Sequence, residues 1–298
     1  MKAIPLPLHA SGGLRPPPRA VLSIVLAALA LSGCSINLGS LTPSSSPEPE
    51  PARLTSSNNI ASLTETIKSN PNDPQAYNMR GSVLAQAGKP EEALADFNKA
   101  ISLDANYPQA YANRGLIYRQ TKRLDQAMAD YERALALDAN YAPAYLGRGL
   151  VYKTRKQRAE ALADINKAIS LAPDNAEAYY NRGLLYQGER QHQFAIDDFT
   201  AANGLAPQQS EPLLARALSY LALDKTKEAA ADLDEAVQDD PQNAQAWLTR
   251  GLAYERLGDK TRAAGSYGRA INLRPKAEAA QTGFARVGGK PGQSYETF

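Results

Sequence analysis

From Pro74 to Ala277 the small and apolar residues return every 34 positions, six times, without one insertion. Each unit is counted from Pro74, Pro108, Ala142, Ala176, Ser210 and Ala244. Position 4 is then large (Tyr77, Tyr111, Tyr145, Tyr179, Leu213, Trp247) and position 8 small (Gly81, Gly115, Gly149, Gly183, Ala217, Gly251). Position 11 is Tyr from the second unit on, positions 20 and 27 are Ala throughout, and position 24 is large. Positions 4, 7, 8 and 11 share one face of a helix, and 20, 24, 27 and 28 one face of a second. Each unit therefore predicts two antiparallel helices that approach closely where Gly at 8 meets Ala at 20. That contact offsets the roughly 1 kcal/mol that Gly costs a helix relative to Ala. Pro173, Pro207, Pro241 and Pro275 stop the second helix, since each lacks an amide hydrogen and disfavours helical geometry in the residue before it. Unit five, with Leu213, Ala217 and a polar Asp239, is the least faithful copy and is expected to be the loosest.

This pattern resembles the tetratricopeptide repeat signature. The resemblance implies an all-α fold: an α-solenoid of six tetratricopeptide helical hairpins in a right-handed superhelix with short capping helices. The repeats occupy residues 74–277. Terminal repeats expose an apolar face and need caps. Ile60, Leu63 and Ile67 predict an N-terminal capping helix within residues 59–73. Residues 278–298 supply a closing helix from Glu278 to Arg286, carrying Phe284, and a Gly-rich tail from Val287 expected to fray.

The N-terminal residues are of another kind. Lys2, Arg15 and Arg19 precede an apolar run from Ala20 to Leu31, then Ser32, Gly33 and the chain's one cysteine, Cys34. The apolar run is shorter than the roughly 20 residues needed to span a bilayer. The series resembles a bacterial lipoprotein signal, which implies cleavage of residues 1–33, lipidation of Cys34 and export. Ser35 in place of Asp after the cysteine points, by the enterobacterial sorting rule, to the outer membrane. Residues 34–58 are Ser/Pro-rich, cannot build a core, and are expected to act as an extended tether of about 3 Å per residue.

Charge and inventory narrow the chemistry. The net charge is +2, and loss of residues 1–33 removes three basic groups and no acid, leaving −1. A nucleic-acid surface needs a clustered positive field, whereas here acids and bases alternate along solvent faces. No nucleic acid is expected as partner. After His9 the chain has one histidine, His192, placed by the pattern in an exposed turn of unit four. With Cys34 consumed by lipid, neither a histidine-based triad nor a Cys/His metal cluster can be assembled, and there is no phosphate loop. No catalytic residue, metal or cofactor is expected. Glu91 with Glu92, and Asp197 with Asp198, sit where helix surfaces ordinarily carry charge.

Two further patterns are regular. Position 7 is Arg in all six units (Arg80, Arg114, Arg148, Arg182, Arg216, Arg250), and position 23 is Asp in five (Asp96, Asp130, Asp164, Asp198, Asp232), with Ser266 in the sixth. An antiparallel pair brings 7 and 23 together, so a ladder of ion pairs is expected; Arg suits bidentate, partly buried pairing. The resemblance further implies that positions 2, 5, 9, 12, 13 and 34 line a concave face. Positions 5 and 9 supply Ala112, Leu116, Leu146, Leu150, Tyr180, Leu184, Leu214, Leu218, Leu248 and Leu252. Tyr107 and Tyr141 stand at position 34, and Arg119 and Lys153 at position 12 add a positive edge. These residues form either an apolar partner-binding trough or packing between neighbouring first helices. The Lys/Asn/Arg constellation of the tetratricopeptide carboxylate clamp is absent at these positions.

Lipobox, tether and Tyr-x-x-Arg-Gly repeats together resemble lipoproteins of the new lipoprotein I type. That resemblance implies a periplasm-facing scaffold or adaptor, anchored through an N-terminal lipid, that binds other envelope proteins or peptides and recruits proteases or peptidoglycan hydrolases. Two related readings are a pilotin and an accessory lipoprotein of β-barrel assembly. A reading of a different class is an envelope hydrolase.

Overall fold

A computed structural model describes residues 50–295, with side chains from Ser57 onward. Cys34, the residues before it and most of the expected tether lie outside the described residues. The described chain contains fourteen helices and no strand. A leading helix, α1 (Glu50–Ser69), is followed by six hairpins: α2 (Pro74–Gln86) with α3 (Pro90–Leu103), α4 (Pro108–Gln120) with α5 (Leu124–Leu137), and α6 (Ala142–Thr154) with α7 (Arg158–Leu171). Then come α8 (Ala176–Gly188) with α9 (His192–Leu205), α10 (Ser210–Ala222) with α11 (Thr226–Asp239), and α12 (Ala244–Arg256) with α13 (Lys260–Leu273). A closing helix, α14 (Glu278–Arg286), ends the series. The all-α solenoid of tetratricopeptide hairpins is thus the observed architecture.

The turn inside each hairpin places position 15 in the left-handed region: Gly88, Lys122, Lys156, Arg190, Asp224 and Gly258 have φ between 56° and 81°. Above the turn the two helices close tightly. A Cβ on Gly81 would stand 2.8 Å from the Phe97 ring, and one on Gly251 2.6 Å from the Tyr267 ring. Where unit five carries Ala217, position 24 is Leu233, a narrower side chain than a ring, and both are fully buried. Leu213, Ala236 and Val237 are fully buried as well, and Asp239 is exposed on the last turn of α11. Unit five therefore keeps a filled core, while its two helices touch less than those of any other hairpin, in line with the looseness expected of it. Tyr at position 24 reaches further than Phe and enters the next unit, where only glycine leaves room. A Cβ on Gly147 would lie 2.3 Å from Tyr131, and one on Gly283 2.5 Å from Tyr267.

The arginine ladder is present and extends further than expected. Arg80, Arg114, Arg148, Arg182 and Arg216 each donate through Nε and Nη2 to both carboxylate oxygens of Asp96, Asp130, Asp164, Asp198 and Asp232, at 2.7–2.9 Å. These bonds raise the arginine pKa values in every case. Burial pushes the Asp130 carboxyl up, and the bonds from Arg114 oppose that shift. In three of them the third nitrogen, Nη1, crosses to the preceding repeat. Arg114 donates to Asn98 at 2.6 Å, Arg182 to Asn166 at 2.8 Å and Arg216 to Thr200 at 3.0 Å, all at position 25. In unit six, where Ser266 replaces Asp, this neighbour supplies the missing charge: Arg250 donates to Asp234 at 2.6 Å and to Ser266 at 2.8 Å. The arginines also lie over the rings at positions 4 and 11, as Arg148 does over Tyr145 and Tyr152. The same 7-to-25 link runs back to α1, where Thr64 Oγ1 accepts from Arg80 Nη1 at 3.1 Å.

Both caps are therefore incomplete repeats. α1 stands as the second helix of a unit preceding the first, with Ile67 buried. It begins at Glu50, inside the stretch expected to be extended tether, and ends at Ser69. Pro51 falls in its first turn, where a missing amide hydrogen breaks no helical bond. α14 stands as the first helix of a seventh unit, with Ala280 buried at position 3 like Ala76, Ala110 and Ala144. The tail after it is not frayed up to Tyr295. Val287 is buried, the Phe284 and Tyr295 rings meet edge-on at 5.9 Å, and the Lys290 amide donates to the Tyr295 hydroxyl at 2.7 Å.

Three consequences are measurable by chemical denaturation. Gly147→Ala lowers stability by about 1 to 3 kcal/mol, because overpacking against Tyr131 outweighs the helical preference of Ala. Gly268→Ala, whose Cβ would meet Phe284 at an ordinary 3.6 Å, raises it by up to about 1 kcal/mol. Arg148→Ala leaves Asp164, whose side chain is 9% exposed, without its bidentate partner and costs about 1 to 3 kcal/mol. Equal midpoints for Arg148→Ala and the parent chain would remove the ladder from the account of stability.

Candidate functional site

First helices of successive hairpins touch one another, α2 with α4, α4 with α6, α6 with α8, α8 with α10 and α10 with α12. Second helices touch only first helices. A stack in contact along one row and splayed along the other curves toward the contacting row, so the first helices form the inner wall. The side chains at positions 2, 5, 9, 12 and 34 are carried on or next to that row.

The inner wall is not one continuous apolar trough. Ala112, Leu146 and Leu150 are buried, the two leucines in a core cluster with Ile165, Ile169 and Leu185. Their positions fall where neighbouring first helices meet, so contact between repeats absorbs them. Leu116 is half-buried. The apolar surface that remains lies toward the C-terminal half. Tyr180 and Leu184 are half-buried beside Phe199, with the Tyr180 and Phe199 rings 5.8 Å apart. Leu214, Leu248 and Leu252 are half-buried and Leu218 is 41% exposed.

The N-terminal end of the wall is polar and aromatic. Asn113 donates to Asn78 Oδ1 at 2.9 Å, and Asn78 Nδ2 in turn to the Tyr107 hydroxyl at 3.2 Å. Burial raises the Tyr107 hydroxyl, and raises that of Tyr141 to about 12 with Tyr107 close by.

Between these ends lies a group of charges. Lys153 donates to Asn181 Oδ1 at 2.8 Å, and Asn181 Nδ2 donates to the Glu177 carbonyl at 2.9 Å. Burial, with Arg119 nearby, lowers the Lys153 ammonium to about 8. Burial raises the Glu177 carboxyl against the pull of Arg119 and Lys153. The buried Tyr131 hydroxyl is pushed up to about 12, opposed by Arg119. Arg119 Nε is buried without a hydrogen-bond partner. Arg119 and Lys153, expected as an edge, thus belong to a cluster with Tyr131, Glu177 and Asn181. The two cations stand at position 12 of adjacent units, a signal the sequence carried. Tyr131 comes from a second helix and reaches the cluster only through the Gly147 gap, which no spacing rule reveals.

His192 is the first residue of α9 and not a turn residue, half-buried with Nδ1 lacking a partner. Among the described residues no three His, Cys, Asp or Glu side chains are placed to hold a metal ion.

An inner wall that leaves apolar, aromatic and charged side chains half-exposed along a stack of helices is the arrangement of an interaction scaffold. The chain carries tetratricopeptide repeats. Family models described as TPR repeat match residues 81–121, 115–156 and 154–188, and models described as tetratricopeptide repeat match 63–95, 176–209 and 214–279. A comparison with curated proteins found no match. Among solved structures, the Cut9-Hcn1 assembly is similar with TM-score 0.68 and 16% identity over 78% of this chain, which spans 46% of that chain's length. The Pseudomonas aeruginosa pilF structure has TM-score 0.66 and 23% identity over 72% of this chain and 97% of its own. YrrB, described as a TPR protein with an unusual peptide-binding site, has TM-score 0.54 and 25% identity over 62% of this chain and 96% of its own. Proteins of this repeat type bind peptides or proteins and are typically non-enzymatic scaffolds.

The division of the wall into core and surface is testable. Leu146→Glu buries a charge in the core and abolishes cooperative melting, whereas Leu218→Glu leaves the melting temperature within a few degrees of the parent. Comparable melting curves for the two would mean that Leu146 faces the open wall after all.

Proposed function

We propose that the chain is a scaffold of a bacterial envelope, anchored at the outer membrane through lipid on Cys34 and facing the periplasm, which holds a segment of another envelope protein on its inner wall. The observation that carries the binding half is the half-exposed surface of Tyr180, Leu184, Leu214, Leu218, Leu248 and Leu252 on rigid first helices. Apolar side chains left partly exposed along one face are the surface on which such a site is built. The likeness to YrrB supports a peptide segment as occupant. The anchoring half rests on Lys2, Arg15 and Arg19, the apolar run and Leu31-Ser32-Gly33-Cys34. Among the described residues no helix is long and apolar enough to cross a membrane. The likeness of this arrangement to new lipoprotein I supports a role in bringing proteases or peptidoglycan hydrolases to their targets.

Cell fractionation tests the anchor. Cys34→Ser shifts the protein from the outer-membrane fraction to the soluble or inner-membrane fraction, since stable anchoring needs more than one acyl chain. A soluble parent protein whose mass shows no lipid would end that half of the proposal. Affinity capture from envelope extracts tests the other half: Leu184→Glu with Leu218→Glu loses the partners of the parent chain by tenfold or more while its melting curve is kept. Full capture by this folded variant would move the binding surface away from the inner wall.

A further inference from the structure

The charges at the centre of the inner wall do not balance. Along the ladder every partly buried arginine is matched by a carboxylate, Arg250 by Asp234 included. On the inner wall Arg119 and Lys153 face a single carboxylate, Glu177; the Arg119 guanidinium bonds to the neutral Tyr131 hydroxyl, and its Nε has no acceptor. One positive charge is left over where water is partly excluded. Unmatched buried charge is costly unless a partner supplies the opposite sign, and Arg and Lys beside a carboxylate make the strong, charge-assisted kind of hydrogen bond.

We propose that the inner wall between repeats two and four receives an internal aspartate or glutamate of an extended partner segment, its carboxylate placed between Arg119 and Lys153. This rests on the reading of the inner wall as the binding surface and names the partner's chemistry. The surplus is one charge, which a carboxylate cancels and a phosphate dianion overshoots. The wall also continues on both sides of the cluster, to Tyr107 and Tyr141 in one direction and to Leu184, Leu214 and Leu218 in the other. A terminal carboxylate would end the peptide at the centre and leave half of the wall empty, whereas an internal acid lets the segment run through. The segment therefore carries one acidic residue followed or preceded by apolar residues that meet the leucines of repeats four and five.

Random linear peptides displayed without a free C-terminus, selected on the full chain, provide the test. The parent chain enriches peptides with one internal Asp or Glu at a constant distance from apolar residues. In a synthetic copy of the best peptide, Glu→Gln weakens binding tenfold or more, while amidation of its C-terminus changes nothing. Lys153→Met loses the preference for the acid but still selects the apolar positions, and Arg119→Gln serves the same purpose if Lys153→Met melts early. Glu177→Gln, which removes the competing carboxylate, tightens the acidic peptide several-fold, an effect no general loss of stability would mimic. With Arg119, Tyr131 and Glu177 facing Lys153, affinity for the acidic peptide is held near neutral pH and falls as pH rises past about 8, where the ammonium loses its proton. Enriched apolar peptides without an acid would overturn the inference and leave the inner-wall reading standing. Tighter binding of a phosphoserine peptide, or dependence on a free C-terminus, would also overturn it. Selection of no peptide at all, or of peptides indifferent to Leu184→Glu with Leu218→Glu, would overturn both.

Discussion

The close approach of two helices at a small residue is the constraint on which the remaining structure depends. Gly81 and its counterparts let a ring or branched side chain at position 24 lie directly on the backbone of the first helix, and Ala at 20 keeps the opposing backbone near. With the hairpin that narrow, position 7 and position 23 come within direct reach, and the guanidinium meets its carboxylate with both nitrogens aligned. A wider hairpin would separate them and leave a buried aspartate alone. The glycine thus determines the packing and, through it, the electrostatics.

The arginine then does more than pair within its own hairpin. In Arg114, Arg182 and Arg216 the third nitrogen bonds to position 25 of the unit before, which ties one hairpin to the next. In a solenoid, stability is approximately a sum of unit and nearest-neighbour contributions, and this single side chain takes part in both. Unit six shows the consequence: Ser266 cannot accept the charge, and Asp234 of unit five does so instead. The link to Thr64 shows that α1 is held by the same device and not by apolar contact alone.

Curvature follows from which helices touch. Because first helices contact one another and second helices do not, the inner wall is crowded at positions 5 and 9. Crowding converts Leu146 and Leu150 from surface into core, and leaves the longer position 12 side chains, Arg119 and Lys153, to present the wall's chemistry. The tyrosine at position 24 reaches the same wall through a glycine gap, so that Tyr131 stands beside Arg119 and Tyr267 donates to Glu255 at 2.6 Å. The chemistry this wall presents is a by-product of packing decisions made two helices away.

The 34-residue period by itself determined the helices, their pairing, the boundaries of the repeats and the Arg-Asp ladder, since each depends on spacing within one hairpin and spacing survives in the sequence. Phe284 and Ile67 likewise marked the caps, because a solenoid's ends must be covered. Only the tertiary structure decided that Ser266 is rescued by Asp234, that α1 is half of a preceding unit, that the tail folds back through Tyr295, and that Leu146 is core while Leu218 is surface. These depend on how far one hairpin rotates against the next, a quantity carried by no residue singly and set by the sum of contacts between repeats. The same rotation brings Lys153 to Asn181 and Glu177 near Arg119, residues whose separation along the chain hides that they share one site.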